Sequence, residues 1–254
     1  MAGIPLSDDY PVRRVPAVTY LLITANVAVY LLSPLSGVAT WYGTDMLERA
    51  CAMELYMLRW AAIPVELLSG EQLTGAAECA SADFTKIPWV SSITSMYLHA
   101  GVAHLLGNMV YLFVFGPVVE DRLGRVRYLC LYTAAGVLSA YAFAITEAGT
   151  EIPLLGASGA ISGVLGAYLV VQYRSKVTTL VFLVIPLRLP GWALVATYFV
   201  LQYFLYVSTS MVPGSEESGV AYAAHVYGFI VGTVAGLLMH RIRWRSGTRL
   251  SDVY

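Results

Sequence analysis

The sequence predicts an all-α polytopic membrane protein, a bundle of six transmembrane helices with a long outer first loop, and three observations lead there. Of 254 residues, 58% are hydrophobic and 12% charged, where soluble domains carry about 25% charged residues. With a mean hydropathy of +0.67, the chain cannot cover itself with polar surface and needs lipid as part of its solvent. Six segments are apolar over about the length a hydrocarbon core of roughly 30 Å requires. Lys and Arg alternate between the connecting loops: twelve fall on one side of a six-span arrangement and Arg49, Arg59 and Lys86 on the other. Basic residues near helix ends stay on the cytoplasmic face, so both termini are expected there, in a multi-pass protein with membrane lipid as its surroundings.

The elements follow in order. A cytoplasmic tail, 1–16, carries Arg13 and Arg14 and leads into a first span, Ala17 to Leu32. This run, followed by Gly37-Val38-Ala39, also has the form of a cleavable signal peptide; the retained helix is the preferred reading. The outer loop, about 33–88, holds Met46, Ala50, Met53, Met57 and Trp60 at spacings of four, three, four and three. That is one helical face, with Asp45, Glu48, Glu54 and Arg59 off it, and predicts an amphipathic helix in the membrane interface.

Further spans are expected over Leu98 to Val119, Tyr128 to Ile145, Ala157 to Tyr173, Trp192 to Val207 and Ala221 to Met239. Leu180 to Leu187 is apolar but interrupted by Pro186 and followed by Pro190, and reads as an entry to the fifth helix. The polar loop Ser208 to Gly219 suits a mobile cap. The membrane domain thus covers 17–240, and 241–254 is a second cytoplasmic tail.

Charge and cysteines exclude several functions. Fifteen basic against sixteen acidic residues give a net charge of −1, with no basic excess for phosphates, so nucleic acid is not an expected partner. Cys51, Cys79 and Cys130 form no CxxC pair, and whether Cys51 and Cys79 pair is open. His99 and His104 are five apart and no HExxH occurs; no metal or other cofactor is expected. No acidic residue lies within a span and no pair of half-helices is evident, which disfavours a transporter.

Polar side chains inside spans are costly and are candidates for function. Four stand out: His104 and Asn108 in the second span, Ser158 at the head of the fourth and His225 near the head of the sixth. Ser158 precedes Arg174 by 16 residues and His225 precedes Arg241 by 16, about 24 Å above the inner surface. His104 and Asn108 stand 18 and 14 residues above Arg122 and bracket the same level.

A hydroxyl beside an imidazole is a nucleophile with its general base, and nearby donors can stabilise an oxyanion. Ser158 begins its helix, where free N–H groups favour negative charge. Without a buried carboxylate the unit is a Ser-His dyad. Gly156, Gly159 and Gly163 at the start of the fourth span, and Gly228, Gly232 and Gly236 along the sixth, allow the helices close contact.

The stretches His99-Ala-Gly-Val-Ala-His104-Leu-Leu-Gly-Asn108, Gly156-Ala-Ser158-Gly159 and Ala224-His225-Val-Tyr-Gly228 resemble the signatures of the rhomboid intramembrane serine proteases. So do Tyr10-Pro-Val-Arg-Arg14 and the run from Gly116 to Gly124. The resemblance implies that Ser158 is the nucleophile and His225 the base. His104, Asn108 and the Ser158 N–H would form the oxyanion hole, and Glu120 and Arg122 a structural pair. It further implies single-pass transmembrane proteins as substrates, cleaved near the outer face, no metal, and a prokaryotic plasma membrane as the expected location. The alternative is an inactive rhomboid-like protein that binds transmembrane clients.

Ser162, where relatives commonly place an aromatic ring against the base, departs from the pattern. Lying at i+4 from Ser158, it either accepts a hydrogen bond from His225 and orients it, or merely saves space. Arg59-Trp60 reverses the Trp-Arg pair often found in the first loop of relatives and is not carried over.

Overall fold

A computed structural model describes residues 3–73, 84–181, 184–210 and 222–245. The first helix, α1 (Ala17–Leu32), coincides with the expected first span. Its N-cap is Pro16, which offers no side-chain cap. The Glu120 carboxylate does so from elsewhere, accepting from the N–H groups of Val18 (3.1 Å) and Thr19 (2.8 Å) and from the Thr19 hydroxyl (2.8 Å).

After α1, helix α2 (Met46–Trp60) matches the predicted amphipathic helix; Asp45 caps it by accepting from the Glu48 N–H at 2.8 Å. Two short helices follow, α3 (Pro64–Ser69) and α4 (Pro88–Thr94), each opened by a proline, which loses nothing at a position whose N–H has no helical partner. Glu66 and Lys86 are joined as a buried ion pair, with Lys86 Nζ also donating to the Ala61 carbonyl at 2.8 Å. Burial lowers the Lys86 pKa, against the pull of Glu66. Cys51 is disulfide-bonded and Cys130 is free; Cys79 lies outside the described residues.

The long helices are α5 (Val102–Leu123), α6 (Arg125–Thr146), α7 (Ser158–Val171), α8 (Gly191–Ser210) and α9 (Tyr222–Arg245). Three, namely α5, α6 and Tyr222–Met239 of α9, are long and apolar enough to cross a membrane; α1, α7 and Gly191–Phe204 are apolar but shorter. Helix α5 begins four residues later than expected, so His104 lies in its first turn. The sequence 211–221, including most of the proposed cap, lies outside the described residues.

The all-α expectation needs correction. Strands β1 (Ile4–Asp8), β2 (Lys176–Val181) and β3 (Ile185–Pro190) form an antiparallel sheet in the order β1-β2-β3. The register runs from Ile4↔Leu180 to Asp8↔Val177 and from Lys176↔Pro190 to Val181↔Ile185. The segment read as an entry to the fifth helix is therefore mostly strand. The β-branched run Val177-Thr178-Thr179 of β2 favours extended backbone, and Pro186 and Pro190 are tolerated because β3 is an edge. The supposed N-terminal tail supplies the other edge.

Helix α7 occupies the centre, buried from Gly159 through Tyr168. Phe115 of α5 meets the Tyr168 ring edge-on at 4.9 Å. On the α9 side the approach is backbone to backbone: a Cβ at Gly228 would lie 2.1 Å from the Gly159 carbonyl oxygen, and one at Gly166 2.3 Å from that of Phe229. Lipid supplies no hydrophobic drive between helices, so this contact over small residues is what holds the pair.

Candidate active site

Ser158 is the first residue of α7, so its own N–H and those of Gly159 and Ala160 have no carbonyl within the helix to bond. The approach to Ser158 is fixed by two ties to the segment between α1 and α5. Ala62 and Leu154 exchange backbone hydrogen bonds at 3.1 and 2.7 Å, and the Gly156 N–H donates to the Ser95 carbonyl at 2.9 Å. Gly156 has φ +123°, and a Cβ there would lie 2.8 Å from His104 Cε1 and 2.9 Å from its Nε2. Gly156 therefore serves the site rather than helix packing: its bare backbone admits the His104 ring beside Ser158. Gly159, Gly163, Gly228 and Gly232 do lie at helix contacts.

Helix α9 brings His225 to Ser158. Ser158 Oγ lies 2.7 Å from His225 Nε2, and His225 Nδ1 lies 2.8 Å from the side-chain oxygen of Gln202 on α8. His225 is buried and Ser158 half-buried, with the Tyr222 ring edge-on to the imidazole at 6.4 Å between centroids. Ser162 is buried one turn below Ser158, but the partner of His225 Nδ1 is Gln202. The orienting hydrogen bond anticipated for Ser162 thus comes from another helix. Gln202 was absent from the sequence reading, although it is a strongly polar side chain inside an apolar segment, the same signal that marked Asn108.

His104 is half-buried, one turn before Asn108 on α5. Asn108 is buried, and its Nδ2 donor has no hydrogen-bond partner. An unpaired buried donor costs about 1–3 kcal/mol, so Asn108 Nδ2 is a donor with its bonding capacity unused. His99 is fully buried with its ring edge-on to His104 at 5.1 Å, a contact that limits how His104 can turn.

The expected Glu120–Arg122 pair is divided in the structure. Glu120 caps α1 and lies 3.9 Å from Arg125 Nε. Arg122 donates to the Gln172 side chain and lies over the Tyr10 ring at 4.6 Å. Asp121 between them accepts from the Tyr10 hydroxyl (2.8 Å) and the Arg14 N–H (3.2 Å). Three consecutive residues at the end of α5 thereby hold the N-terminal arm. A fourth tie joins it to α7: the Tyr168 hydroxyl donates to Asp8 at 2.5 Å.

Among the described residues no group of three His, Cys, Asp or Glu side chains is placed to hold a metal ion. The chemistry available is that of a hydroxyl against an imidazole, with unused N–H donors beside it.

Comparison with known proteins agrees in kind. The family model described as the rhomboid domain matches residues 87–242. The chain is 39% identical over 89 residues to the putative rhomboid protease YdcA of Bacillus subtilis, covering 35% of this chain and 44% of that protein. It is 31% identical over 161 residues to the rhomboid protease GluP of the same organism, covering 63% and 26%. Against Rhomboid protein 1, mitochondrial, of Saccharomyces cerevisiae it is 28% identical over 241 residues, 93% of this chain and 60% of that one. The matched regions thus span from about a quarter to three fifths of these relatives.

Proposed function

Because the chain belongs to the rhomboid family and is an integral membrane protein, we propose that it is an intramembrane serine endopeptidase. On this reading it cleaves transmembrane segments of single-pass proteins near the outer face. The observation that carries the proposal is the 2.7 Å contact between Ser158 Oγ and His225 Nε2, which is within reach for general-base activation of a hydroxyl.

In the proposed reaction Ser158 Oγ attacks the scissile carbonyl while its proton passes to His225 Nε2. The oxyanion is stabilised by the Ser158 N–H, by Asn108 Nδ2, whose donor is otherwise unpaired, and by the His104 ring across Gly156. His225 then returns the proton to the leaving amine, and water activated by the same imidazole releases the acyl group. The three long apolar helices α5, α6 and α9, together with the shorter α1, α7 and α8, serve as six spans with both termini cytoplasmic, and α2 lies in the outer interface.

The test is incubation of the purified full chain with a transmembrane substrate, wild type beside Ser158→Ala and His225→Ala. Both variants are expected to insert and fold but not to cleave, with a fluorophosphonate labelling Ser158 in wild type alone. Cleavage by a verified Ser158→Ala preparation would end the proposal. Binding of the substrate without cleavage by wild type would instead favour a client-binding rhomboid-like protein.

A further inference from the structure

We propose that Gln202 is a positioning residue that holds His225 in the tautomer able to accept a proton, so that α8 supplies the third polar member of the site. The inference rests on the serine-protease reading above.

A neutral imidazole carries one N–H, and the nitrogen that carries it cannot act as a base. The side-chain oxygen of Gln202, 2.8 Å from Nδ1, can only accept. The hydrogen must then reside on Nδ1, which leaves the Nε2 lone pair facing Ser158 Oγ at 2.7 Å. Once Nε2 takes the serine proton, both nitrogens are donors, and the same amide oxygen stabilises the cation through a charge-assisted bond. Among the described residues, the titratable groups beside His225 are Tyr222 on its own helix and His104; neither presents a carboxylate that would do this work.

Two ring contacts place Gln202. Phe199, three residues earlier, stacks on Phe229 of α9 with centroids 3.7 Å apart, and Tyr198 meets Tyr111 of α5 at 5.3 Å. These fix the rotation of α8 about its axis and aim residue 202 at the imidazole. The opposite side, with Val200, Tyr203 and Phe204, is exposed. The base is thus oriented from the helix that stands outermost at the site.

The experiment compares wild type, Gln202→Met and Gln202→Glu as full chains. Met has similar length and no acceptor of comparable strength, whereas Glu keeps an acceptor oxygen in either protonation state. The readouts are the rate of fluorophosphonate labelling at Ser158 and the nitrogen-15 NMR signature of His225. Gln202→Met is expected to label about two- to tenfold more slowly, the loss associated with one neutral hydrogen bond. Its His225 signal should move from the Nδ1–H toward the Nε2–H form, and Gln202→Glu should restore both. An unchanged rate and an unchanged tautomer in Gln202→Met would overturn the proposal. A wild type that fails to label would remove the protease reading, while the NMR comparison would still decide whether Gln202 sets the tautomer.

Discussion

A Cβ placed on Gly232 would lie 1.8 Å from the carbonyl oxygen of Gly163, so α7 and α9 touch where neither residue has a side chain to move aside. Gly232→Ala must separate the helices that carry Ser158 and His225. Overpacking of this kind typically costs about 1–3 kcal/mol, occasionally more. The expected result is a lowered Tm together with weaker labelling of Ser158. Gly107→Ala, where a Cβ meets nothing within 4 Å, should leave the Tm near wild type; equal Tm values for the two variants would contradict the packing argument.

Asn108→Ala removes the unpaired Nδ2 donor and leaves the Ser–His contact in place. Loss of one oxyanion donor costs about 10²- to 10³-fold in kcat, and His104→Ala is expected to weaken turnover in the same way. Both effects should fall on kcat more than on KM, because the oxyanion exists only in the transition state. Wild-type turnover in both variants would return these residues to the role of interhelical hydrogen bonding.

Helices α8 and α5 meet where Tyr198 faces Tyr111. A transmembrane substrate arriving from lipid at this side must pass between them, whereas a small reagent need not. A short crosslink between Tyr111→Cys and Tyr198→Cys, in a Cys130→Ser background to remove the free thiol, should slow cleavage of the transmembrane substrate and leave fluorophosphonate labelling intact. Equal slowing of both would show that the crosslink distorts the site; unchanged cleavage would place the route elsewhere.

Asp8 lies beneath α7 in contact with Tyr168. Burial raises its carboxyl pKa above the ordinary 3.8, while the hydrogen bonds from Tyr168 and Tyr10 act in the opposite sense. The native state therefore holds the proton more tightly than the unfolded chain. Its contribution to docking is full below 3.8 and is lost as pH rises through the raised value. Hydrogen exchange of the Ile4–Asp8 amides, corrected for intrinsic rates, should show protection falling between acid and neutral pH. Asp8→Asn should flatten that dependence, and a flat profile in wild type would refute it.

The parts legible in the sequence were those with a period or a depth. Helices α1 and α2 have the expected bounds because apolar length and a three-four stripe specify them. Ser158 and His225, which stand at equal distances from Arg174 and Arg241 in the sequence, are in contact. The β1–β2 pairing was hidden because it joins residues about 170 apart, and no local pattern reports such a partner; the β2–β3 hairpin is local, and Pro186 and Pro190 disguised it. Likewise the hydrogen-bond partners of Glu120, Val18 and Thr19, are over 100 residues away, and no local pattern reports them. Gln202 lies among the aromatic residues of α8, and no spacing within that helix tells which side chain will face His225.

The docking of β1 also imposes an order in time. Its partner strand begins at Lys176, and the Asp8–Tyr168 bond joins residues 160 apart. At synthesis rates of about 5–20 residues per second, strand β1 waits roughly ten to thirty seconds after leaving the ribosome for the chain that will pair with it. Throughout that interval it is an unpaired edge, open to association with other chains. Only when β2 has emerged on the same side do the arm, α7 and the base of α8 become one unit. The surroundings of Ser158 are therefore completed late, after β1 has found a strand made about 170 residues later and just before α8 and α9.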